Sequence, residues 1–242
     1  TKAGAGTLVL TAGNTYTGTT TISAGTLRNG ASGVISDSSA VQIANSATWD
    51  LNGYTETVYS IADVTSNTTG AIGLGSGTLT INNTGGTSTT FSGVISGTGN
   101  LTLASTNTGT LVLGNIANTY SGVTTINGGV LSVGTLAAYN ANSSIGNLGA
   151  SNLAANLVLG GGTLKYTGST VSTNRNFTIT SGTTGTIEVT SGSAVLTLTG
   201  AAASSTGGLT KTGSGTLVLS GANAYTGTTT ISAGTLKLGN TS

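Results

Sequence analysis

The chain has 242 residues, and charged side chains make up only 5% of it, where a typical soluble domain carries about 25%. Its net charge is +1 and its six cations are scattered, which excludes the clustered Lys and Arg that bind nucleic acids or anionic membranes. Histidine and cysteine are absent, so triads of the Ser-His-Asp and Cys-His types are excluded. The 36% hydrophobic content and the 41 glycines predict an ordered chain whose surface is mostly Thr, Ser, Asn and Gly.

Short segments that alternate apolar residues with threonine predict β-strands along the whole chain. Clusters of Gly, Asn and Ser separate these segments and favour tight turns. Residues 135–157 are rich in alanine but interrupted by Asn, Ser and Gly, so we predict a loop excursion there rather than a long helix. The clearest predicted strands cover residues 8–10, 20–22, 79–81, 101–103, 111–113, 177–179 and 196–198.

One motif occurs three times, at residues 6–30, 109–134 and 215–239. Its anchoring asparagines are 104 and 105 residues apart, which divides a single solenoid, residues 1–242, into repeat units 1–105 and 106–209 and a partial unit 210–242. Nine positions are predicted to be structural repeat anchors: Asn14, Tyr16, Gly18, Asn118, Tyr120, Gly122, Asn223, Tyr225 and Gly227.

Strands this short suit a coil in which each strand pairs with its equivalents in the coils above and below. The predicted fold is therefore an all-β parallel β-helix, a β-solenoid. At about 20 residues per coil, the chain would form roughly 12 coils and a rod of roughly 60 Å. No apolar run approaches the length of about 18 residues that a membrane helix requires, so we expect no direct membrane insertion.

The anchors and the single tryptophan have structural interpretations. We expect each anchor tyrosine to pack over a corner of the coil with its hydroxyl at solvent. The anchor asparagines are expected to hold a turn conformation that only Asn or Gly tolerates well. Trp49 fits either a plug in the core or a lateral contact.

The motif has the pattern G-x-L-x-L-x-G-x-N-x-Y-x-G-x-T-x-I-x-x-G-x-L-x-L-G, and residues 215–239 follow it almost position by position. This pattern resembles the autotransporter-associated β-strand repeat, also called the passenger-associated transport repeat. The resemblance implies a right-handed parallel β-helix that is secreted across the outer membrane of Gram-negative bacteria and exposed outside. It also implies a passenger domain acting as an adhesin, a surface-layer component or a stalk.

Polysaccharide-cleaving enzymes also use parallel β-helices, and they need carboxylates gathered in a cleft. The chain has five acidic residues, and three of them, Asp37, Asp50 and Asp63, are spaced by 13. That spacing does not match the expected coil, so we interpret these residues as turn caps or hydrated surface groups. We predict no catalytic, metal-binding or cofactor-binding residues, and no enzymatic activity.

The leading functional hypothesis is an extracellular rod or fibre, or the stalk of a surface protein. The chain starts at a unit boundary and stops partway through a unit, without the polar caps that solenoids usually carry. We therefore expect axial self-association or continuation in a longer repeat chain. The alternative is an adhesin that binds a host or neighbouring-cell surface through its side face or residues 135–157, whose deletion would leave the rod intact.

Overall fold

A computed structural model describes residues 1–65, 69–147 and 152–239. These residues form an all-β stack of coils in which every strand pairing is parallel. Each coil runs in turn along three faces of the stack, which we number in the order the chain visits them. A single 3₁₀ turn, Ala154–Asn156, is the only helical element in the described residues, and no helix there is long and apolar enough to cross a membrane.

The strands are assigned to the faces by their pairing. Face 1 holds β1 (Thr7–Leu10), β3 (Thr26–Asn29), β5 (Thr48–Asp50), β8 (Ala71–Gly73) and β11 (Val94–Ser96), and later β18 (Val171–Thr173), β21 (Val195–Leu198), β23 (Thr216–Leu219) and β25 (Thr235–Leu238). Face 2 holds β6 (Glu56–Val58), β9 (Thr78–Ile81), β12 (Asn100–Leu103), β14 (Thr124–Ile126), β16 (Leu157–Leu159) and β19 (Thr178–Ile179).

Face 3 is the longest and holds ten strands. It begins with β2 (Thr20–Ile22), β4 (Ala40–Ile43) and β7 (Ser60–Asp63) and continues with β10 (Ser88–Phe91), β13 (Thr110–Leu113), β15 (Val130–Val133), β17 (Thr163–Tyr166), β20 (Thr184–Val189), β22 (Gly208–Thr212) and β24 (Thr229–Ile231). Between β7 and β10 the backbone pairing is interrupted, and the carboxylate of Asp63 accepts hydrogen bonds from the amide of Ser92 at 2.9 and 3.0 Å.

The solenoid has about 10 turns, not the 12 expected from the sequence. Register partners lie 19 residues apart for Thr7 and Thr26 and 23 apart for Glu56 and Leu79. One coil is much longer, since Thr124 pairs with Leu157 across 33 residues. The coil length of about 20 assumed for the prediction was too short, because the turns take up more chain than the strands alone suggest.

The core runs along the axis as stacked apolar ladders. On face 1, Leu8 pairs with Leu27, Leu27 with Trp49, and Trp49 with Ile72, so one inward position is apolar in four successive coils. Trp49 is fully buried and its Nε1 donates to Asn29 Oδ1 at 3.0 Å, which makes it a core residue rather than a lateral contact. Fully burying one such apolar side chain contributes about 1.5–3 kcal/mol. Threonine is the commonest residue at the outward positions of the strands.

The three copies of the motif do not occupy equivalent faces. In the first and third copies the strands lie on faces 1, 3 and 1, whereas in the second they lie on faces 3, 2 and 3. The pairing inside each copy is nevertheless the same, with Thr7 opposite Thr26, Thr110 opposite Val130 and Thr216 opposite Thr235. The middle strands of the first and third copies, β2 and β24, both lie on face 3, where they are the first and tenth strands.

Candidate functional site

The amide group of each anchor asparagine closes its own turn. Nδ2 donates to a backbone carbonyl two or three residues earlier: Ala12 for Asn14, Asn115 for Asn118 and Gly221 for Asn223. In the part of the chain that the structure describes, positive φ outside glycine occurs at Ser46, Asn52 and Asn140 and at none of the anchors. The expectation of a special turn conformation was therefore wrong, and the side chain rather than the backbone of these asparagines carries the interaction.

The same side chains also connect neighbouring coils. Asn118, in the middle of the stack, accepts from Ile95 N of the preceding coil at 2.7 Å and donates to Ser144 O of the following coil at 2.9 Å. Of these two bonds, Asn14 makes only the one to the following coil, donating to Val34 O at 2.8 Å. Asn223 makes only the one to the preceding coil, accepting from Ala202 N at 3.1 Å. Each anchor asparagine therefore presents one amide atom to each neighbouring coil.

Each anchor tyrosine forms a hydrogen bond with the threonine four residues later. The hydroxyl pairs are Tyr16 with Thr20 at 2.8 Å, Tyr120 with Thr124 at 2.7 Å, and Tyr225 with Thr229 at 2.9 Å. Tyr120 is completely buried, and burial raises the pKa of its phenol, whereas Tyr16 is 42% exposed. The expectation of a hydroxyl at solvent was wrong for Tyr120, because a coil covers it on both sides.

The anchor glycines allow close approach to the preceding coil. A Cβ at Gly122 would overlap the carbonyl oxygen of Gly99, and one at Gly227 would overlap the carbonyl oxygen of Gly207. Gly18, in the first coil, has open space at the same position. None of the three has a positive φ, so glycine is required here for space rather than for backbone conformation.

Two buried lysines occupy the same corner at the start of the first and third repeats. Their burial was not predicted from the sequence. Lys2 Nζ donates to the carbonyls of Ala3, Gly4 and Ala24 at 3.1, 2.7 and 2.8 Å. Lys211 Nζ makes the equivalent bonds to the carbonyls of Thr212, Gly213 and Ala233. Burial lowers the pKa of Lys211, and the three carbonyl dipoles replace the water that the ammonium loses. The sequence signal was the pair of segments Thr-Lys-x-Gly-x-Gly at 1–6 and 210–215.

Arg175 is the largest buried cation. Its hydrogen bonds hold the loop excursion that follows β15, residues 135–157, against the solenoid. Its Nε donates to Ala137 O at 2.6 Å, and its Nη2 donates to Ala141 O, Ser143 Oγ and Gly146 O at 3.1, 3.0 and 2.7 Å. Burial lowers the pKa of the guanidinium to about 10, and its Nη1 is buried without a hydrogen-bond partner. No feature of the sequence distinguished Arg175 from the scattered surface cations.

The excursion is irregular, as predicted, but it is part of the solenoid. Leu136 and Ile145 are 1% and 0% exposed and complete the core where face 1 has no strand. Deleting residues 135–157 would therefore remove core residues and the start of β16. We expect this deletion to disrupt the rod, contrary to the expectation from the sequence. Residues 148–151 lie outside the described residues. Within the described part, Tyr139 and Leu153 are the large apolar side chains that the excursion exposes.

Asp50, Asp63 and Glu188 do not meet in a cleft. Asp50, on face 1, pairs with Arg28 at 3.1 Å and caps the turn at Asn52, whereas Asp63 lies on face 3. Glu188 pairs with Lys165 at 3.3 Å on the outside of face 3. No group of three or more His, Cys, Asp or Glu side chains placed to hold a metal ion occurs in the described residues.

Glu56 differs from the other acidic residues because it is buried. Its carboxylate accepts from Asn29 Nδ2 at 2.6 Å and from the amides of Val34 and Ile35 at 3.0 and 3.3 Å. Burial raises the pKa of Glu56 and outweighs these hydrogen bonds, and the charge of Asp37 raises it further.

We expect Glu56 to make folding more favourable at low pH. A carboxyl whose folded pKa exceeds its unfolded value contributes stability that is complete below the unfolded pKa and is lost as the pH rises through the folded pKa. Urea unfolding of the wild type and Glu56→Gln at pH 4 and pH 7 measures this contribution. The free energy of unfolding of the variant should fall further below that of the wild type at pH 4 than at pH 7. An identical pH response in both proteins would contradict the assignment.

The first and last coils expose the strands that are buried in inner copies of the motif. Leu8 is 45% exposed in β1, but its equivalents Leu111 and Leu217 are buried. Leu238, in the last coil, is 77% exposed. Each end has a hollow where the core ends, of about 320 Å³ beside Leu8 and Tyr16 and about 300 Å³ beside Tyr225 and Leu238.

A stack of parallel coils joined by a recurring Asn-x-Tyr-x-Gly motif defines the chain as a repeat-built β-solenoid. The family model for the passenger-associated-transport-repeat matches residues 1–28, 106–133 and 209–238. The chain is 40% identical over 236 residues to the Adhesin BmaC autotransporter of Brucella suis biovar 1 (strain 1330). The alignment covers 96% of the chain and 7% of that relative, and no solved structure matches.

The chain therefore carries three passenger-associated transport repeats and resembles autotransporter passenger domains. This resemblance indicates a location outside the cell or on its outer surface, and it points to a non-enzymatic role. The divisions at residues 105 and 209 stay a prediction, since the matched segments cover the motif and not the whole unit.

Proposed function

We propose that the chain is a structural rod segment of a surface-exposed passenger and has no catalytic activity. The observation that carries this proposal is the core itself, whose inward ladders run from one end of the stack to the other. In such a solenoid each coil contacts only its neighbours, so adding coils adds length without changing the cross-section. The separation of Asp50 on face 1 from Asp63 and Glu188 on face 3 supports a role without hydrolysis or lyase chemistry.

The same reasoning supports repeat units 1–105, 106–209 and 210–242 that continue along one axis, in a longer chain or in another copy. The anchor asparagines support this continuation, because each has one amide atom for the coil below and one for the coil above. Asn14 and Asn223 each use one of these connections.

A tandem protein in which residues 1–209 precede the full 242-residue chain tests the rod. Residues 210–242 correspond to residues 1–33, so the junction retains a near-native sequence. We expect small-angle X-ray scattering to show a particle longer by about 43 Å, nine coils of ~4.8 Å, with an unchanged cross-section. A tandem that instead widens, or that forms two separately tumbling bodies, would contradict the rod.

An adhesive role is the second candidate, favoured by the similarity to a protein named as an adhesin and by the two apolar side chains that the excursion exposes. Tyr139 and Leu153 lie on the surface while Leu136 and Ile145 anchor the same segment in the core. Aromatic and aliphatic side chains on a firmly held loop favour binding, because little conformational entropy is lost. Retention of cells by the immobilised chain, but not by Tyr139→Ser/Leu153→Ser, would support adhesion over a purely structural role.

A further inference from the structure

Face 3 has an opening between β7 and β10, inside the stack and away from its first and last coils. These two strands belong to successive coils, but they are not paired with each other. Each keeps its pairing on the far side, where Val64 N donates to Ile43 O at 3.2 Å and Gly114 N donates to Phe91 O at 2.9 Å. The opening forms a recess of about 570 Å³, and its lining includes Asp63, Val64, Ser88, Thr89 and Thr90.

Asp63 occupies an inward position at the edge of this recess. It continues a column in successive coils of face 3, in which Ile22 pairs with Ile43 and Ile43 pairs with Asp63. Ile22 and Ile43 are fully buried, whereas Asp63 is half-buried and its carboxylate turns to the amide of Ser92 in the next coil. The acidic side chain interrupts the apolar ladder here, because a carboxylate without a partner is costly to bury among apolar groups.

The corner that follows a face 3 strand holds a cation elsewhere in the stack. Lys2 belongs to the same column as Asp63, since it pairs with Ile22. Its Nζ donates to two carbonyls of its own coil and to Ala24 O of the next coil, at 2.7 to 3.1 Å. Lys211, which is completely buried, makes the same three contacts at 2.6 to 3.3 Å. An ammonium group therefore fits between two coils at this corner and donates to carbonyl oxygens of both.

The recess carries a negative charge that no cation of the chain neutralises. In the part of the chain that the structure describes, ion pairs join Arg28 to Asp50 and Lys165 to Glu188, and Asp63 has none. The other side chains that line the recess bear hydroxyls or are aliphatic, so all of its polar side-chain atoms are oxygens that can accept a hydrogen bond. This lining suits a cation that is rich in hydrogen-bond donors.

An ammonium group fits the recess better than a calcium ion. Ca²⁺ takes about six to eight oxygen ligands, and the recess supplies one carboxylate. An ammonium group has three donors, and the methylene stem that carries it can pack against apolar surface. Ala62 and Val64 supply that surface beside the carboxylate, and Val64 is 40% exposed.

We propose that this recess binds a primary ammonium group, carried by a lysine side chain of a partner protein. The ammonium pairs with the carboxylate of Asp63 and donates to the hydroxyls beside it, while the stem of the lysine packs on Val64. The site adds a point of attachment on the side of the rod. It depends neither on the length of the rod nor on an adhesive role of Tyr139 and Leu153, so its failure would leave both of those proposals standing.

Titration of the isotope-labelled chain with Nα-acetyl-lysine methylamide tests the site by NMR, and Nα-acetyl-norleucine methylamide is the uncharged probe of similar shape. The amide of Ser92 is the reporter, because it donates to the carboxylate of Asp63 at 2.9 Å. We expect the lysine probe to shift this signal with half-saturation on the order of 10 mM, as for a single charge-assisted contact, and the norleucine probe to leave it unchanged. Added salt should weaken the binding of the lysine probe.

Two variants remove the site in different ways. Asp63→Asn removes the charge but keeps an oxygen for the amide of Ser92, and it should weaken binding of the lysine probe at least about tenfold. Ala62→Leu leaves Asp63 in place and fills the mouth of the recess, and we expect a similar loss. Asp50→Asn is the matched control, because that carboxylate is already paired with Arg28, and it should change the affinity less than about twofold.

Equal shifts with the lysine and norleucine probes, or unchanged binding of the lysine probe to Asp63→Asn, would overturn the ammonium site. Calcium chloride is the competing ligand in a parallel titration. If it moves the Ser92 signal at lower concentrations than the lysine probe does, the recess is a metal site and the proposal is wrong.

Discussion

Gly122→Ala should lower the free energy of unfolding by about 3 kcal/mol, because the added methyl group overlaps backbone rather than a movable side chain. Gly122 lies against the carbonyl oxygen of Gly99 in the preceding coil, and Asn100 Oδ1 is close by. Asn100 Oδ1 cannot move away without weakening the hydrogen bond that it accepts from Val123 N at 2.8 Å, and Gly99 O is part of the backbone. The spacing between these two coils must therefore widen locally.

Gly18→Ala is the matched control, because it makes the same change at the same motif position without a preceding coil. We expect it to be neutral or to stabilise by up to about 0.5 kcal/mol through the reduced entropy of the unfolded chain. Urea unfolding followed by far-ultraviolet circular dichroism compares the two variants. Equal losses in both would mean that the motif requires glycine for its backbone conformation and that close packing of coils is not the cause.

Arg175→Met should release the excursion from the solenoid, with a destabilisation of about 3 kcal/mol. Methionine fills most of the same volume but donates no hydrogen bonds, so the carbonyls of Ala137, Ala141 and Gly146 lose a buried donor. The unfavourable burial of the cation, which holds its pKa at about 10, offsets part of this loss. Hydrogen exchange should accelerate on the order of 100-fold around residues 137–146 and much less elsewhere.

Arg28→Met provides the control for removing an arginine. Arg28 is exposed and pairs with Asp50 at 3.1 Å on the surface of face 1, so its loss should change the stability by less than about 1 kcal/mol. If Arg175→Met leaves exchange in the excursion as slow as in Arg28→Met, the guanidinium is not what holds this segment. The same pair of variants also bears on adhesion, because a binding role for Tyr139 requires that its loop stay in place.

The amino-acid sequence by itself determined the class of this protein. Alternation of threonine with Leu, Ile and Val selects strands with one inward and one outward face, and frequent Gly, Asn and Ser keep the strands short. Strands of three or four residues bury enough apolar surface only when they stack, so the fold class and the recurrence of the anchors follow from local patterns. The resemblance of the motif to passenger-associated transport repeats was likewise readable in residues 215–239.

Only the tertiary structure decided how many coils there are and which residues of the motif meet. Turn lengths vary from coil to coil, and the 33-residue coil between Thr124 and Leu157 shifts every later position, so coil number and face cannot be obtained by dividing the length by a mean period. The roles of Gly122, Lys211 and Arg175 depend on carbonyl groups about twenty to forty residues away along the chain. Recurring segments mark Lys211 and Gly122 in the sequence, but their partners in other coils leave no local pattern, because these contacts arise only when one coil comes to lie on the next.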